Sequence, residues 1–262
     1  MNQLNYIHSN YLTKSENISL VARLAPSFLF YCRFFSVVFR ASRKAKHGIY
    51  GDVEWSSSSF EVLNLLEKIG IRFHVTGIEQ LQMLEGPCVI VGNHMSMMET
   101  LVLPIIINPV KKVTFVVKES LLRYPIFKHI MIARNQIAVT RTNPRQDLKT
   151  VMTQGAERLG RGISIIVFPQ TTRSSSFDPE QMSSLGVKLA KKAGVPLVPL
   201  ALKTSAWNNG RFIKDFGKID VNEGVHFAFG EPIRIKDKGT EEHQMITEYI
   251  ETKLKEWNER DI

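Results

Sequence analysis

The chain has few cysteines and no long uncharged apolar run. Cys32 and Cys88 are its only cysteines in 262 residues, and they form no Cys-x-x-Cys pair. This excludes a disulfide scaffold and gives no support for a zinc site or a redox pair, and it fits a reducing compartment. The most apolar stretch, residues 20–39, is interrupted by two arginines and a proline. Because a spanning helix needs about 20 largely uncharged residues, we do not expect this stretch to cross a bilayer.

Acidic residues are outnumbered by basic ones. The 34 Lys and Arg against 25 Asp and Glu leave a formal charge of +9. With 44% hydrophobic and 23% charged residues, the composition is that of a globular protein and excludes a disordered or polytopic membrane chain. The polar N-terminus lacks the order of a secretory signal peptide. The positive excess favours an anionic partner, namely nucleic acid, a membrane surface, a phosphate-bearing substrate or an acidic carrier, without choosing among them.

Strand and helix patterns alternate from residue 71 onward. Short β-branched or aromatic runs predict strands at 71–77, 88–93, 113–119, 136–142, 164–170, 195–202 and 225–235. Capping residues and apolar periodicity predict helices at 60–69 (capped within serines 56–59), 143–159 (closed by Gly160), 183–193 (closed by Gly194) and 240–259. We therefore expect an α/β fold with a mixed, largely parallel sheet flanked by helices. It is predicted as one domain over 71–262, preceded by a helical segment over 1–70.

Residues 20–46 combine clustered aromatics with a trailing basic cluster. Six aromatic residues lie between 28 and 39, and four basic residues follow between 40 and 46. Such a helix suits the headgroup region of a membrane, where each basic residue near an anionic surface adds about 1 kcal/mol. An ordinary buried helix that ends in solvated charges fits the segment equally well.

One candidate catalytic pair follows the predicted strand at 88–93. His94 and Glu99 are five residues apart, and on a continuous helix this separation turns the side chains about 140° away from each other. Ser96-x-x-Glu99 is a capping box, which places Ser96 at the N-cap and His94 just outside the helix, where its ring can fold back to the carboxylate. A neutral imidazole held in this way can accept a proton from a hydroxyl. Alternatively, Glu99 only caps the helix and His94 is a turn residue bonded to backbone.

A second candidate site follows the strand at 164–170. Residues 167–174 read VFPQTTRS and place an amide, hydroxyls and the guanidinium of Arg173 at one strand end. This set suits a phosphate cradle, with Arg173 as the forked donor. A polar loop with one surface arginine is the other interpretation.

Several blocks in order resemble the glycerolipid acyltransferases, the family of the 1-acylglycerol-3-phosphate acyltransferases. The blocks are HVTGIEQL at 74–81, GPCVIVGNHMSMMET at 86–100, KESL with a later proline at 118–125, VTR at 139–141, VFPQTTRS at 167–174 and GVPLVPLAL at 194–202. Several blocks in family order are far more specific than any single motif. The resemblance covers about residues 71–235.

The resemblance implies transfer of a fatty acyl group from a thioester to an acceptor hydroxyl, without an acyl-enzyme. It assigns His94 as general base and Glu99 as the group that orients it. The acceptor-binding residues that it implies are Arg173, Thr172, Gln170, Thr171, Arg141, Lys118, Asn93 and Ser96. The donor would be acyl-coenzyme A or acyl-acyl carrier protein, with no other cofactor, no metal and no nucleic acid. It further implies an N-terminal segment that lies at the membrane interface, so that the protein is peripheral or monotopic on the cytoplasmic face.

Two departures from the family pattern concern the site itself. Glu99 stands where Asp is common, and Gln170-Thr171 stand where Glu-Gly is common. The longer Glu99 also resembles the acyltransferases that complete lipid A, so a lipid A precursor is one alternative acceptor. The Gln170-Thr171 change leaves the acceptor open between a lysophospholipid and a lyso aminolipid, and it motivates a non-catalytic lipid-binding homologue as the alternative. Further basic groups suit an acidic carrier or a solvated surface: Lys188, Lys191, Lys192, Lys203, Arg211, Lys214 and Lys218.

Overall fold

The computed structural model describes residues 3–14, 17–125, 127–170, 172–211 and 213–260. One eight-stranded sheet runs through it in the order β1-β2-β8-β7-β3-β6-β4-β5. The strands are β1 (Tyr11–Leu12), β2 (Phe73–Thr76), β3 (Val89–Gly92), β4 (Val113–Lys118), β5 (Ile137–Val139), β6 (Ser164–Val167), β7 (Leu197–Lys203) and β8 (Val225–Phe229). Strands β7, β3, β6, β4 and β5 pair in parallel, β8 runs antiparallel to β7, and β2 runs parallel to β8. The predicted mixed, largely parallel sheet is confirmed.

Helices cover both faces of the sheet. They are α1 (Leu20–Leu24), α2 (Pro26–Lys46), α3 (Asp52–Lys68), α4 (Glu79–Gln82), α5 (Met98–Ile107), α6 (Lys128–Ala133), α7 (Pro144–Gly160), α8 (Leu185–Ala193) and α9 (Thr240–Arg260). Neighbouring residues of one strand point to opposite faces, so Ile90 joins the apolar cluster under α2, α3 and α5, whereas Val89 and Val91 join the cluster under α7, α8 and α9. Both faces of β3 are therefore buried, which holds the loop after it in place.

The N-terminal helices belong to the core on one side and face solvent on the other. On α2, Phe30 and Phe34 are fully buried, while Phe28 and Phe39 are about 70% exposed (72% and 69%). Strand β1 pairs with β2, so residues 1–70 also extend the sheet. The division of the chain at residue 70 and the membrane-interface role stay predictions. None of the helices in the described ranges is long and apolar enough to span a bilayer.

Several predicted boundaries are wrong. The strand predicted at 225–235 ends at Phe229, whereas the last helix begins at Thr240, as predicted. Helix α7 starts as predicted at an N-cap Asn143 but includes Gly160, and the left-handed residue that follows is Gly162, at φ 76°. Helix α8 does end at a left-handed Gly194, as predicted.

The serines at 56–59 do not cap a helix, because α3 already begins at Asp52. The hydroxyls of Ser56 and Ser59 bond instead to the neighbouring helix α5 and its C-cap Asn108. Pro104 lies inside α5 and has no N–H to donate there. The buried Ser59 Oγ donates to the carbonyl of Leu101 at 2.6 Å and accepts from the amide of Ile105 at 3.0 Å, so it bridges the α5 ladder beside the proline. A hydroxyl on α3 thus stabilises an irregular turn of α5.

We expect Ser59→Ala to lower the free energy of unfolding by about 1–3 kcal/mol, because it leaves a buried carbonyl and a buried amide without their partner. Urea unfolding followed by circular dichroism measures the change. Ser36→Ala on the exposed side of α2 is the control and should change stability by less than about 0.5 kcal/mol. Equal losses in the two variants would contradict the bridging role.

Candidate active site

His94 lies in the loop that leaves the carboxyl end of β3. This loop is tied to β7 by Asn93, whose Nδ2 donates to the Leu202 carbonyl and whose Oδ1 accepts from the Leu202 amide, both at 2.8 Å. Gly92 allows the close approach, because a Cβ there would lie 2.9 Å from the Leu200 carbonyl oxygen. The assignment of Asn93 to acceptor binding is therefore corrected: its side chain is buried and holds the loop.

The structure brings His94 and Glu99 together. His94 Nδ1 lies 2.8 Å from Glu99 Oε1, and the imidazole stacks on Phe168 with ring centroids 4.7 Å apart and an interplanar angle of 5°. A carboxylate accepts, so Nδ1 carries the hydrogen and Nε2 keeps its lone pair. Nε2 makes no hydrogen bond to any described residue. His94 lines a cavity, which makes this nitrogen available to a bound hydroxyl.

Glu99 is fully buried and accepts hydrogen bonds from two segments of the chain, the loop after β3 and the end of β7. Besides His94, it accepts from the amide of Met95 at 2.7 Å and from the amide and hydroxyl of Ser96 at 3.0 Å. Thr204 Oγ1 donates to Oε2 at 2.6 Å from the end of β7. The predicted substrate-binding role of Ser96 is therefore also corrected, since its buried side chain bonds to Glu99 and Thr204.

The predicted capping box is present only in part. Glu99 accepts from the amide of Ser96, as predicted, but Ser96 Oγ accepts from the amide of Met98 instead of that of Glu99. The first helical residue is nevertheless Met98, one position later than a Ser96 N-cap predicts. In the first turn of α5, the Glu99 carboxylate accepts hydrogen bonds from both the His94 imidazole and the Ser96 amide.

Thr204 is a site residue that the sequence prediction missed. A signal for Thr204 existed, since it comes two residues after the run at 195–202, and parallel neighbouring strands end at the same edge of the sheet. Without the observed adjacency of β3 and β7, however, one hydroxyl after a strand does not stand out.

The surroundings of Glu99 favour its ionised form. Burial alone raises the pKa of this carboxyl, but the hydrogen bonds from His94, Thr204 and Ser96 outweigh it, and His94 adds a favourable charge when its ring is protonated. The pKa of Glu99 therefore lies below its ordinary value. An ionised Glu99 in turn keeps the hydrogen of His94 on Nδ1.

The loop after β6 holds His94 from the opposite side. Gln170 Oε1 accepts from the His94 amide at 2.6 Å, and the Ser174 amide donates to the His94 carbonyl at 3.0 Å. The predicted substrate-binding role of Gln170 is therefore corrected, because its buried side chain fixes the His94 backbone and does not line the cavity beside His94. Thr171, also predicted to bind the acceptor, lies outside the described residues.

A cavity of about 410 Å³ opens beside His94. Its interior is apolar and lies between α2, α3, α6 and the sheet, with walls formed by Val37, Val38, Trp55, Leu101, Phe115, Phe127, Ile130 and Met131. A row of aromatic rings leads from His94 into this interior. Phe168 stacks on His94 and also contacts Phe115, which contacts Trp55. The cavity thus offers an apolar channel that leads away from the imidazole.

Cationic side chains line the mouth of this cavity. The predicted Arg173, Thr172, Arg141 and Lys118 all line it, together with Lys214 and Asp215. Arg173 forms an ion pair with Asp215, a residue that the sequence prediction missed. Burial, together with the nearby charge of Arg173, lowers the pKa of Arg141, and the charge of Asp147 partly opposes this.

Several of the other basic side chains that were predicted to meet a carrier or solvent lie away from this mouth. Lys188, Lys191 and Lys192 are exposed on α8, whereas Lys203 is buried and so is not part of a solvated surface. Among the described residues, no three His, Cys, Asp or Glu side chains are placed to hold a metal ion.

The family model described as "Acyltransferase" matches residues 72–203, which is half of the chain and contains His94, Glu99 and Arg173. The chain belongs to this acyltransferase family.

Among similar proteins, the 1-acyl-sn-glycerol-3-phosphate acyltransferase of Pseudomonas aeruginosa is 34% identical over 153 residues, which is 58% of this chain and 58% of the relative. That of Borreliella burgdorferi is 30% identical over 158 residues, 60% of this chain and 58% of the relative. The chain thus spans somewhat more than half the length of these relatives. The crystal structure of the 1-acyl-sn-glycerophosphate (LPA) acyltransferase PlsC from Thermotoga maritima shares the fold, with a TM-score of 0.60 and 23% identity over 87% of this chain and 88% of that one.

Glu99 gives the stability of the protein an acid dependence. Because its pKa is lower in the folded than in the unfolded chain, its contribution is present above the unfolded value, 4.5, and is lost as the pH falls through the folded value. Glu99→Gln removes this contribution and is expected to cost about 1–3 kcal/mol at pH 7.

Urea unfolding at pH values from 7 to 3 tests this, with the exposed Glu85→Gln as control. We expect the stability of wild type and control to fall below pH 4.5 more steeply than that of Glu99→Gln. Parallel curves for all three proteins would contradict the lowered pKa.

Proposed function

We propose that this protein transfers a fatty acyl group from an acyl thioester to a hydroxyl of a lysophospholipid, with 1-acylglycerol-3-phosphate as the leading acceptor. The observation that carries the proposal is one cavity that joins the Nε2 side of His94 to a cationic mouth and an apolar interior. The cationic mouth suits a phosphate, and the interior suits an acyl chain. Membership of the acyltransferase family and the names of the similar proteins support the same reaction.

In the proposed reaction, His94 Nε2 accepts the proton of the acceptor hydroxyl while the oxygen attacks the thioester carbonyl. A carbon–oxygen bond forms, the carbon–sulfur bond breaks, and the proton passes from the imidazolium to the departing thiolate. Glu99 accepts from Nδ1–H throughout and stabilises the transient imidazolium. Such general-base catalysis contributes about 10²- to 10⁴-fold to the rate. No covalent acyl-enzyme and no further cofactor are required.

The acceptor would bind with its phosphate at the mouth. In this proposal Arg173 and Thr172 contact the phosphate, and Arg141 and Lys118 add positive charge at the same edge of the sheet. Gln170 differs from the common acidic residue but still accepts a hydrogen bond from the His94 amide. Because this change leaves the dyad assembled, we favour an enzyme over a non-catalytic lipid-binding homologue.

His94→Ala is expected to lower kcat by at least about 10²-fold, because it removes the base that accepts the hydroxyl proton. Purified protein is incubated with 1-acylglycerol-3-phosphate and either acyl-coenzyme A or acyl-acyl carrier protein, and the diacyl product is measured by mass spectrometry.

His47→Ala, at the exposed end of α2, is the matched control and should retain wild-type turnover. Near wild-type turnover of His94→Ala would refute the mechanism. Turnover only with a lyso aminolipid or a lipid A precursor would change the acceptor and leave the dyad standing.

We also propose that the protein works at a membrane surface, on the cytoplasmic face. An apolar stripe on α1 and α2 supports this: the exposed side chains of Leu20, Val21, Leu24, Phe28, Phe35 and Phe39. Phe35 and Phe39 follow Phe28 by seven and eleven residues, which places each within about 20° of Phe28 and within about 40° of the other around the helix. Arg43 and Lys46 follow in the last turn. Apolar side chains with adjacent cations suit an anionic bilayer interface.

Leu24→Glu combined with Phe28→Glu should weaken binding to vesicles that contain phosphatidylglycerol by about 10- to 100-fold, because two apolar side chains no longer enter the lipid. Vesicle co-sedimentation measures the bound fraction. Met83→Glu, another strongly exposed apolar residue outside the stripe, is the control and should bind like wild type. Equal binding by all three proteins would exclude the stripe as the contact surface.

A further inference from the structure

We propose that Asp215 is a positioning residue of the acceptor site, whose carboxylate holds Arg173 so that the remaining N–H groups of the guanidinium meet the phosphate of the acceptor. This inference rests on the proposed function and names a residue that its motifs do not contain. Asp215 lies in the loop between β7 and β8, beyond residues 72–203 that the family model matches.

The contact itself leaves most of the guanidinium available. Arg173 Nη2 donates to Asp215 Oδ1, and the two side chains are only 16% and 19% exposed. The guanidinium carries five N–H donors, and no other described residue accepts from it. Because both side chains line the cavity mouth, one edge of Arg173 is held while the rest can meet a ligand.

The charges at the cavity mouth favour a carboxylate at position 215. Arg141 and Arg173 line the same mouth. Burial and the charge of Arg173 lower the pKa of Arg141, while the charge of Asp147 opposes them. Asp215 balances part of the positive charge on the Arg173 side of the mouth. Among the residues that line the cavity, the four cationic side chains of Arg141, Arg173, Lys118 and Lys214 outnumber this carboxylate, which favours a doubly charged phosphate.

Asp215 is in turn held by the N-terminal helix. Trp207 Nε1 donates to the Asp215 carbonyl at 3.2 Å, and Trp207 packs against Phe30 and Phe34 of α2. Tyr31, also on α2, donates through its hydroxyl to the Gly217 carbonyl at 2.5 Å. The carboxylate is therefore placed by aromatic packing against α2.

These tethers favour positioning over simple competition for Arg173. Lys214 Nζ also donates to the Arg173 carbonyl at 3.4 Å, so the two loops are joined by a second contact beside the ion pair. A carboxylate that only competed with the phosphate would have to withdraw on binding, and its removal would tighten binding. A carboxylate that positions Arg173 stays in place, and its removal weakens binding.

The test is steady-state kinetics of Asp215→Asn with 1-acylglycerol-3-phosphate as the varied substrate. We expect KM for this acceptor to rise about 10-fold, with kcat within about 2-fold of wild type, because charge-assisted hydrogen bonds are strong. Asp215→Glu keeps the charge and should give a KM between the two. Glu223→Gln removes an exposed carboxylate from the same loop and should match wild type.

A second measurement does not depend on turnover. Titration calorimetry without donor, using a short-chain lysophosphatidic acid below its micellar concentration, should show about 10-fold weaker binding by Asp215→Asn. If wild type binds this lipid but does not acylate it, the proposed function fails while the role of Asp215 is still supported by the weaker binding of the variant. An unchanged or lower KM and Kd in Asp215→Asn, an equal effect of Glu223→Gln, or no binding by wild type would each overturn the proposal.

Discussion

A carboxylate without solvent contact imposes the strictest constraint on this structure. An ionised Glu99 in the interior requires hydrogen bonds that compensate for its lost hydration, and the chain supplies them from residues 94–96 of the β3 loop and from Thr204 at the end of β7. The two groups of donors are placed by different strands. The orientation of the His94 ring therefore depends on the assembly of the sheet and not on a local turn alone.

Apolar and cationic surroundings meet at this imidazole. Buried residues of the N-terminal helices and of the sheet form one cluster, and the cavity lies at their junction. The cationic mouth is formed instead at the strand ends, where loops from β4, β5 and β6 converge. The α/β domain thus carries the reacting groups, while α2 completes the apolar channel and braces the loop that contains Asp215. The N-terminal segment contributes to the site as well as to the outer surface.

The sequence predicted those parts of the site that follow from local spacing. His94 and Glu99 could be paired because a capping box leaves few places for the imidazole, and Arg173 could be placed at the same edge because it follows a buried strand. Asn93, Ser96 and Gln170 were misassigned because polar side chains in a site motif can bind backbone or one another as readily as substrate. Asp215 could not be found, because its contact with Arg173 depends on how a long irregular loop packs on α2. The serines at 56–59 were misread for a similar reason, since a hydroxyl that serves another helix has the same local pattern as a cap.

The tautomer of His94 is the most direct test of the mechanism, because Nε2 needs a free lone pair to take the proton from the hydroxyl of the substrate. Nitrogen-15 NMR of histidine-labelled protein, with the His94 signals assigned by their loss in His94→Ala, measures it at neutral pH. Hydrogen on Nδ1 and a bare Nε2 are the predicted result. Hydrogen on Nε2 with a bare Nδ1 would contradict the role of Glu99 as the group that orients the base.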